Sequence, residues 1–136
     1  MKTMYLLRGV SGSGKSTLAK NLAAMTGGYH VENDTYHLDA DGVYQYDIAN
    51  KEKAQDLCFS AATEEIIRGN GRDIIVANCN TDYDAIDKYL ELAKVFGYTV
   101  VSLVVENRHG NNSVHDVAER IRDRQAREIV ESLKLK

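Results

Sequence analysis

The chain has 136 residues, 43% of them hydrophobic and 27% charged, with a formal net charge of −3. This length and balance suit a single domain over residues 1–136 built around one core. The slight acidity argues against the basic footprint of a strong nucleic-acid binder. No apolar run is long enough for a membrane span or a signal peptide, so no membrane partner and a cytoplasmic location are expected.

Met4-Tyr5-Leu6-Leu7-Arg8 is a short apolar run that reads as a buried strand. It leads into Gly9-Val10-Ser11-Gly12-Ser13-Gly14-Lys15-Ser16, an unbroken G-x-x-x-x-G-K-S phosphate-binding loop. Its glycines let backbone N–H groups turn inward around phosphate oxygens, where a side chain would collide. The expected nucleotide-binding residues are therefore Ser11, Gly12, Ser13, Gly14, Lys15, Ser16 and Thr17. Lys15 is expected on the β- and γ-phosphates, and the Ser16 hydroxyl as a ligand to Mg²⁺. Thr17 opens a helix with Leu18, Leu22 and Met25 at helical spacing, which Gly27-Gly28 stops. The positive end of that helix adds to the anion site. Strand, glycine loop and helix in this order point to a nucleoside triphosphate.

Tyr29-His30-Val31-Glu32 reads as a second strand, and the polar stretch from Asn33 to Asp47 as a functional loop. From Glu32 to Asp47 there are five acidic residues and no Lys or Arg, a balance that repels a long polyanion. Ala49 to Arg68 reads as a helix with Ala54, Leu57, Cys58, Ala61, Ala62, Ile66 and Ile67 as its apolar stripe. Asp73 to Asn78 reads as a third strand, apolar like a parallel strand buried on both faces. Asp82 is the expected cap of a helix that turns Tyr83, Ile86, Leu90 and Ala93 inward and stops at Gly97. Tyr98 to Val105 reads as a fourth strand, and Glu106 to Ser113 as a polar segment before a last helix with Val114, Val117, Ile121, Ile129 and Leu133. The alternation predicts an α/β fold with a parallel sheet of about four strands flanked by helices, and ligands at the strands' carboxyl ends. Cys58 and Cys79, far apart in the chain, read as reduced thiols without a metal.

Several blocks then fall into a familiar order. Leu6-Leu7-Arg8 runs into the phosphate loop, and Asn33-Asp34-Thr35-Tyr36 after the second strand is similar to D-D-Y. Gly42-Val43-Tyr44-Gln45-Tyr46-Asp47 is similar to G-x-Y-x-F-D, and Ala54 to Cys58 to A-H-x-x-C with Gln55 in place of His. Ile74 to Thr81 is similar to a strand ending D-N-T-N-T, and Arg108 with Val117 to Arg124 to an arginine-bearing lid and its helix. On these blocks the chain resembles the phage-type polynucleotide kinase superfamily, which includes the kinase-like domains of Nedd4-binding and cyclic-nucleotide-phosphodiesterase proteins, from roughly residue 4 to residue 127.

The resemblance implies a P-loop fold of the kinase type with a short arginine-bearing lid. It also implies ATP with Mg²⁺, and transfer of the γ-phosphoryl group to a hydroxyl, as in a polynucleotide 5′-hydroxyl kinase. Such transfer needs positioning, charge neutralisation and a base for the acceptor hydroxyl. The implied catalytic set is Lys15, Asp34 as general base and Arg108 as lid arginine; His37, Asn78 and Asn80 fall at substrate positions. His37 replaces an arginine of the family and Asn78 an acidic residue, a paired loss of charge that points to a different acceptor. The acceptors that the kinase reading leaves open are a polynucleotide 5′-end, a modified base or nucleotide in nucleic acid, and a small nucleoside-like or sugar molecule. Arg120, Arg124 and Arg127 share one helical face, directed at phosphates or at solvent. The alternative function is an NTPase or nucleotide-gated binding module with no dedicated hydroxyl acceptor. A degenerate scaffold is disfavoured by the intact Lys15-Ser16 pair.

Overall fold

The computed structural model describes residues 1–79, 83–108 and 118–135. Four strands, β1 (Thr3–Arg8), β2 (Tyr29–Val31), β3 (Ile74–Ala77) and β4 (Thr99–Val104), form one parallel sheet in the order β2-β3-β1-β4. The helices are α1 (Lys15–Thr26), α2 (Lys51–Ile67), α3 (Tyr83–Phe96) and α4 (Glu119–Glu131). β1 is paired on both sides, with Leu7 opposite Ala77 and opposite Leu103. An interior parallel strand is covered on both faces, which is why its sequence is an unbroken apolar run.

Side chains alternate across the sheet. Met4, Leu6, Ile74 and Val76 pack with Cys58, Ala62 and Ile66 of α2 and with Tyr89, Leu92 and Ala93 of α3. Leu7, Ile75 and Ala77 pack with Leu18, Ala19 and Leu22 of α1 on the other face. The result is a three-layer α/β/α domain, each fully buried aliphatic side chain contributing about 1.5–3 kcal/mol of transfer free energy.

Four residues of the expected apolar stripes, Met25, Leu57, Ile67 and Leu133, are exposed. In α2 the inward line is Ala54, Cys58, Ala62 and Ile66, spaced by four with small residues that admit close approach to the sheet. Leu57 and Ile67 fall off that line. Glu65 is buried instead, held by Arg72 at 3.3 Å and Arg68 at 3.7 Å, the pairing that a buried carboxylate requires.

The polar stretch after β2 is more ordered than a plain loop. Asn33–His37 forms a 3₁₀ turn, and Leu38 and Tyr44 form an antiparallel bridge. The Asp39 carboxylate accepts the N–H groups of Asp41 and Val43, each at 2.9 Å. A second 3₁₀ turn, Ile48–Asn50, is capped by Asp47 through the Ala49 N–H, so α2 starts at Lys51 rather than Ala49. Asp82, Val114 and Val117 lie outside the described residues. Among the described residues no helix is long and apolar enough to cross a membrane.

Candidate functional site

The phosphate loop leaves the sheet between the ends of β3 and β4. Gly9 N–H donates to the Cys79 carbonyl at 3.2 Å, and Val105 N–H to the Arg8 carbonyl at 2.6 Å. A Cβ on Gly9 would stand 2.5 Å from Ser13 Oγ and 2.7 Å from the Val105 carbonyl oxygen, so close packing forces the first glycine. Gly14, with φ of 103°, lies in the left-handed region that glycine adopts without strain. Ser13 N–H closes the turn on the Val10 carbonyl at 3.1 Å. Among the described residues no acceptor takes the N–H groups of Gly12, Gly14, Lys15 or Ser16. Gly14, Lys15 and Ser16 stand at the start of α1, where N–H groups free of backbone acceptors form an anion site.

Lys15 is buried, and its Nζ donates to the carbonyls of Gly9 at 3.0 Å and Val10 at 2.9 Å. Burial pulls its ammonium below the ordinary lysine range, against the opposing pull of Cys79, Asp34 and Glu32. Ser16 Oγ donates to Glu32 Oε2 at 2.7 Å, and His30 Nε2 stands 3.5 Å from the same oxygen. Burial pushes the Glu32 carboxyl up, but its contacts with His30 and Ser16 outweigh this and hold it below its usual value. The Ser16 hydroxyl and Glu32 carboxylate are hard oxygen donors that fit Mg²⁺. Among the described residues no group of His, Cys, Asp or Glu forms a metal cage by itself.

Asp34 sits in the 3₁₀ turn after β2 and acts electrostatically on both Lys15 and Tyr44. Asn78 anchors the start of that turn. Its Oδ1 accepts the Asn33 N–H at 2.7 Å, while its Nδ2 donates to Cys58 Sγ at 3.8 Å. Tyr89 donates its hydroxyl to the same sulfur at 3.4 Å. His37 is buried, with ring centroids 6.1 Å from Tyr44 and 4.9 Å from Tyr46, and its Nδ1 has no hydrogen-bond partner among the described residues. Burial, then Asp34, pushes the Tyr44 phenol up to about 12. His37 and Asn78 thus have separate partners.

Arg108 lies just past β4, exposed and paired with Glu106 at 2.9 Å. Asn80 falls outside the described residues. On α4, Arg120 and Arg127 are exposed and Arg124 pairs with Glu128 at 3.5 Å. The phosphate loop, Asp34 and Arg108 each follow a strand of the one parallel sheet and so share its carboxyl end, where Arg108 pairs with Glu106.

Three residues at the site escape motif reading. Glu32 carried a faint signal, a carboxylate at a strand end two positions before Asp34. Arg8, fully buried, donates to Ser132 Oγ at 2.6 Å and to the Leu133 carbonyl at 3.5 Å, fastening the end of α4 to β1. Gln125 of α4 accepts the Ser11 N–H at 3.0 Å, across 114 positions of chain. No local pattern announces contacts of that span.

Comparison with solved structures finds the same fold in kinases. A chain of the Pnkp1/Rnl/Hen1 RNA repair complex superposes with a TM-score of 0.71 at 14% identity, covering 97% of this chain and 45% of that one. This protein therefore spans less than half of that longer chain. The APS kinase of Mycobacterium tuberculosis gives 0.57 at 16% identity, covering 97% and 96% of the two chains. A gluconokinase from Sinorhizobium meliloti 1021 gives 0.53 at 18% identity, covering 96% and 73%. At identities below 25%, these superpositions show a shared α/β fold. Residues 4–134 match the AAA domain family AAA_33 over nearly the whole chain, and with the phosphate loop placed after β1 the protein belongs to that family.

Proposed function

We propose that this protein is an ATP-dependent kinase that transfers the γ-phosphoryl group to a hydroxyl acceptor presented to Asp34. The observation that carries this reading is that Asp34, in the turn after β2, stands at the same carboxyl end of the parallel sheet as the phosphate loop after β1, where its charge acts on the Lys15 ammonium. In the reaction the acceptor oxygen forms a bond to the γ-phosphorus as the bond to the β–γ bridging oxygen breaks. The hydroxyl proton passes to the Asp34 carboxylate and ADP leaves. Lys15 and the unused loop N–H groups offset the charge on the phosphates. Ser16, supported by Glu32, would hold Mg²⁺, which supplies charge neutralisation on the phosphate oxygens. The resemblance to polynucleotide kinases supports a 5′-hydroxyl on a nucleic-acid end or modified nucleotide as acceptor. The acidic stretch from Glu32 to Asp47 favours a short acceptor over a long polyanion.

A second reading draws on Arg108, which is exposed and paired with Glu106. In that reading the protein is an NTPase or nucleotide-gated module with water as acceptor. Phosphate transfer from γ-labelled ATP to DNA ends, RNA ends, modified-base DNA, nucleosides and sugars separates the two. Label is expected in at least one acceptor, falling at least a hundredfold in Asp34→Asn, the scale of a lost general base. ATP turnover indifferent both to every acceptor and to Asp34→Asn overturns the kinase reading.

A further inference from the structure

The two edges of the sheet are protected differently. At one edge β2 is three residues long and runs at once into Glu32; at the other, β4 presents the six residues Thr99–Val104. Shortness, charges, prolines and bulges are the usual means of keeping an edge from pairing with another chain. β4 uses none of them. Its sequence TVVSLV carries no charge and no proline, and its pairing with β1 is unbroken. Thr99 N–H donates to the Lys2 carbonyl at 2.9 Å and Val105 N–H to the Arg8 carbonyl at 2.6 Å, so residues 99, 101, 103 and 105 turn their backbone groups to β1. Alternate residues of a strand face opposite neighbours. The N–H and C=O groups of Val100, Ser102 and Val104 therefore point off the sheet, and among the described residues nothing pairs with them.

This edge also fits itself. Laid antiparallel about a two-fold axis at Ser102, the strand of a second copy sets Val104 opposite Val100 on either side of the axis and Ser102 opposite Ser102. Each is then a hydrogen-bonded pair that exchanges both backbone bonds, so the outward groups of all these residues are satisfied. A strand without charge meets itself without repulsion. The same register carries Glu106 of one copy to Tyr98 of the other, where the Lys2 ammonium stands 4.9 Å from the ring centroid. Opposite charges thus meet at both ends, because the axis repeats the contact. On the face toward α3 an open groove lined by Leu90, Val100, Ser102 and Leu133 leaves room for the incoming side chains.

From this geometry we propose that β4 is the interface of a homodimer, in which two copies join edge to edge into one continuous sheet. The carboxyl ends of the two sheets then face opposite ways, with a phosphate loop at each end. The proposal is independent of the kinase reading.

The test is sedimentation equilibrium of the wild type, Val104→Pro, Ser102→Lys and Ser102→Glu, from about 10 μM to about 1 mM, the range suited to an interface of modest size. The wild type is expected to be dimeric at the upper end. Val104→Pro removes an outward N–H and no bond to β1, and is expected to weaken the dimer about tenfold or more. Ser102→Lys and Ser102→Glu each set like charges opposite one another and are expected to be monomeric alone, while their equimolar mixture dimerises. A wild type that stays monomeric leaves the edge to a strand of some other chain and overturns the proposal. A dimer indifferent to Val104→Pro overturns it too, as does a mixture that stays monomeric. If Val104→Pro fails to fold, the mixture decides; if the Ser102 variants fail to fold, Val104→Pro decides.

Discussion

Glu32→Gln isolates the charge that supports Ser16. The substitution keeps the shape of the side chain and one carbonyl-type oxygen, so the Ser16 hydroxyl retains an acceptor. At 2.7 Å, the existing bond to Oε2 is short and charge-assisted. Such bonds contribute about 1.5–3 kcal/mol, against about 0.5–1.5 kcal/mol for a neutral pair, so the bond itself loses about 1 kcal/mol. The Glu32 carboxyl titrates below its usual value in the folded protein. Its contribution to stability is therefore present above the unfolded carboxylate range and is lost as pH falls through the folded value. The expected stability loss of about 1 kcal/mol in urea unfolding at neutral pH should vanish on acidification, because a protonated Glu32 and a glutamine are then alike. The larger effect falls on the ion. Changing a residue that orients a metal ligand typically costs about 10–100-fold in metal affinity. Titrating Mg²⁺ against binding of the β,γ-imido analogue of ATP should show the half-saturating concentration raised by that factor, with metal-free binding little changed. A Mg²⁺ dependence within about twofold of the wild type, in a variant that still folds, would refute the assignment of Glu32 to the metal side.

Two further outcomes follow from the same geometry. In Asn78→Asp the carboxylate still accepts the Asn33 N–H but cannot donate to Cys58 Sγ, and it places a charge beside that buried thiol. Stability is expected to fall by about 1–3 kcal/mol by urea unfolding, and restoring an acid here is expected to lower rather than raise phosphate transfer. The Lys15 ammonium titrates below its ordinary value of 10.5 because it is buried. Between the folded value and 10.5 the unfolded chain binds more protons, so stability rises with pH across that alkaline window while nucleotide affinity falls. Urea unfolding as a function of pH should show that slope in the wild type and lose it in Lys15→Met.

The alternation of strands and helices, the phosphate loop and the stops at Gly27 and Gly97 were all legible locally. They rest on short-range rules: apolar runs, helical spacing, and glycine where the backbone turns left-handed. The inward faces were less legible. Helical spacing offered Leu57 and Ile67 as core, but close approach to the sheet selected the small residues Ala54, Cys58 and Ala62. The site divided in the same way. Lys15 and Ser16 act within one contiguous motif, whereas Glu32 joined them only through the placing of β2.

By itself the sequence determined an α/β domain with a triphosphate loop after its first strand, because that chemistry is contained in eight consecutive residues, Gly9 to Ser16. Only the tertiary structure decided the strand order β2-β3-β1-β4 and with it which distant residues meet the loop. Glu32 reaches Ser16 across 16 positions, Gln125 reaches Ser11 across 114, and Ser132 reaches Arg8 across 124. Those contacts depend on which strands lie side by side and which helix faces the sheet buries. That choice is made by packing over the whole chain, and no local pattern carries it.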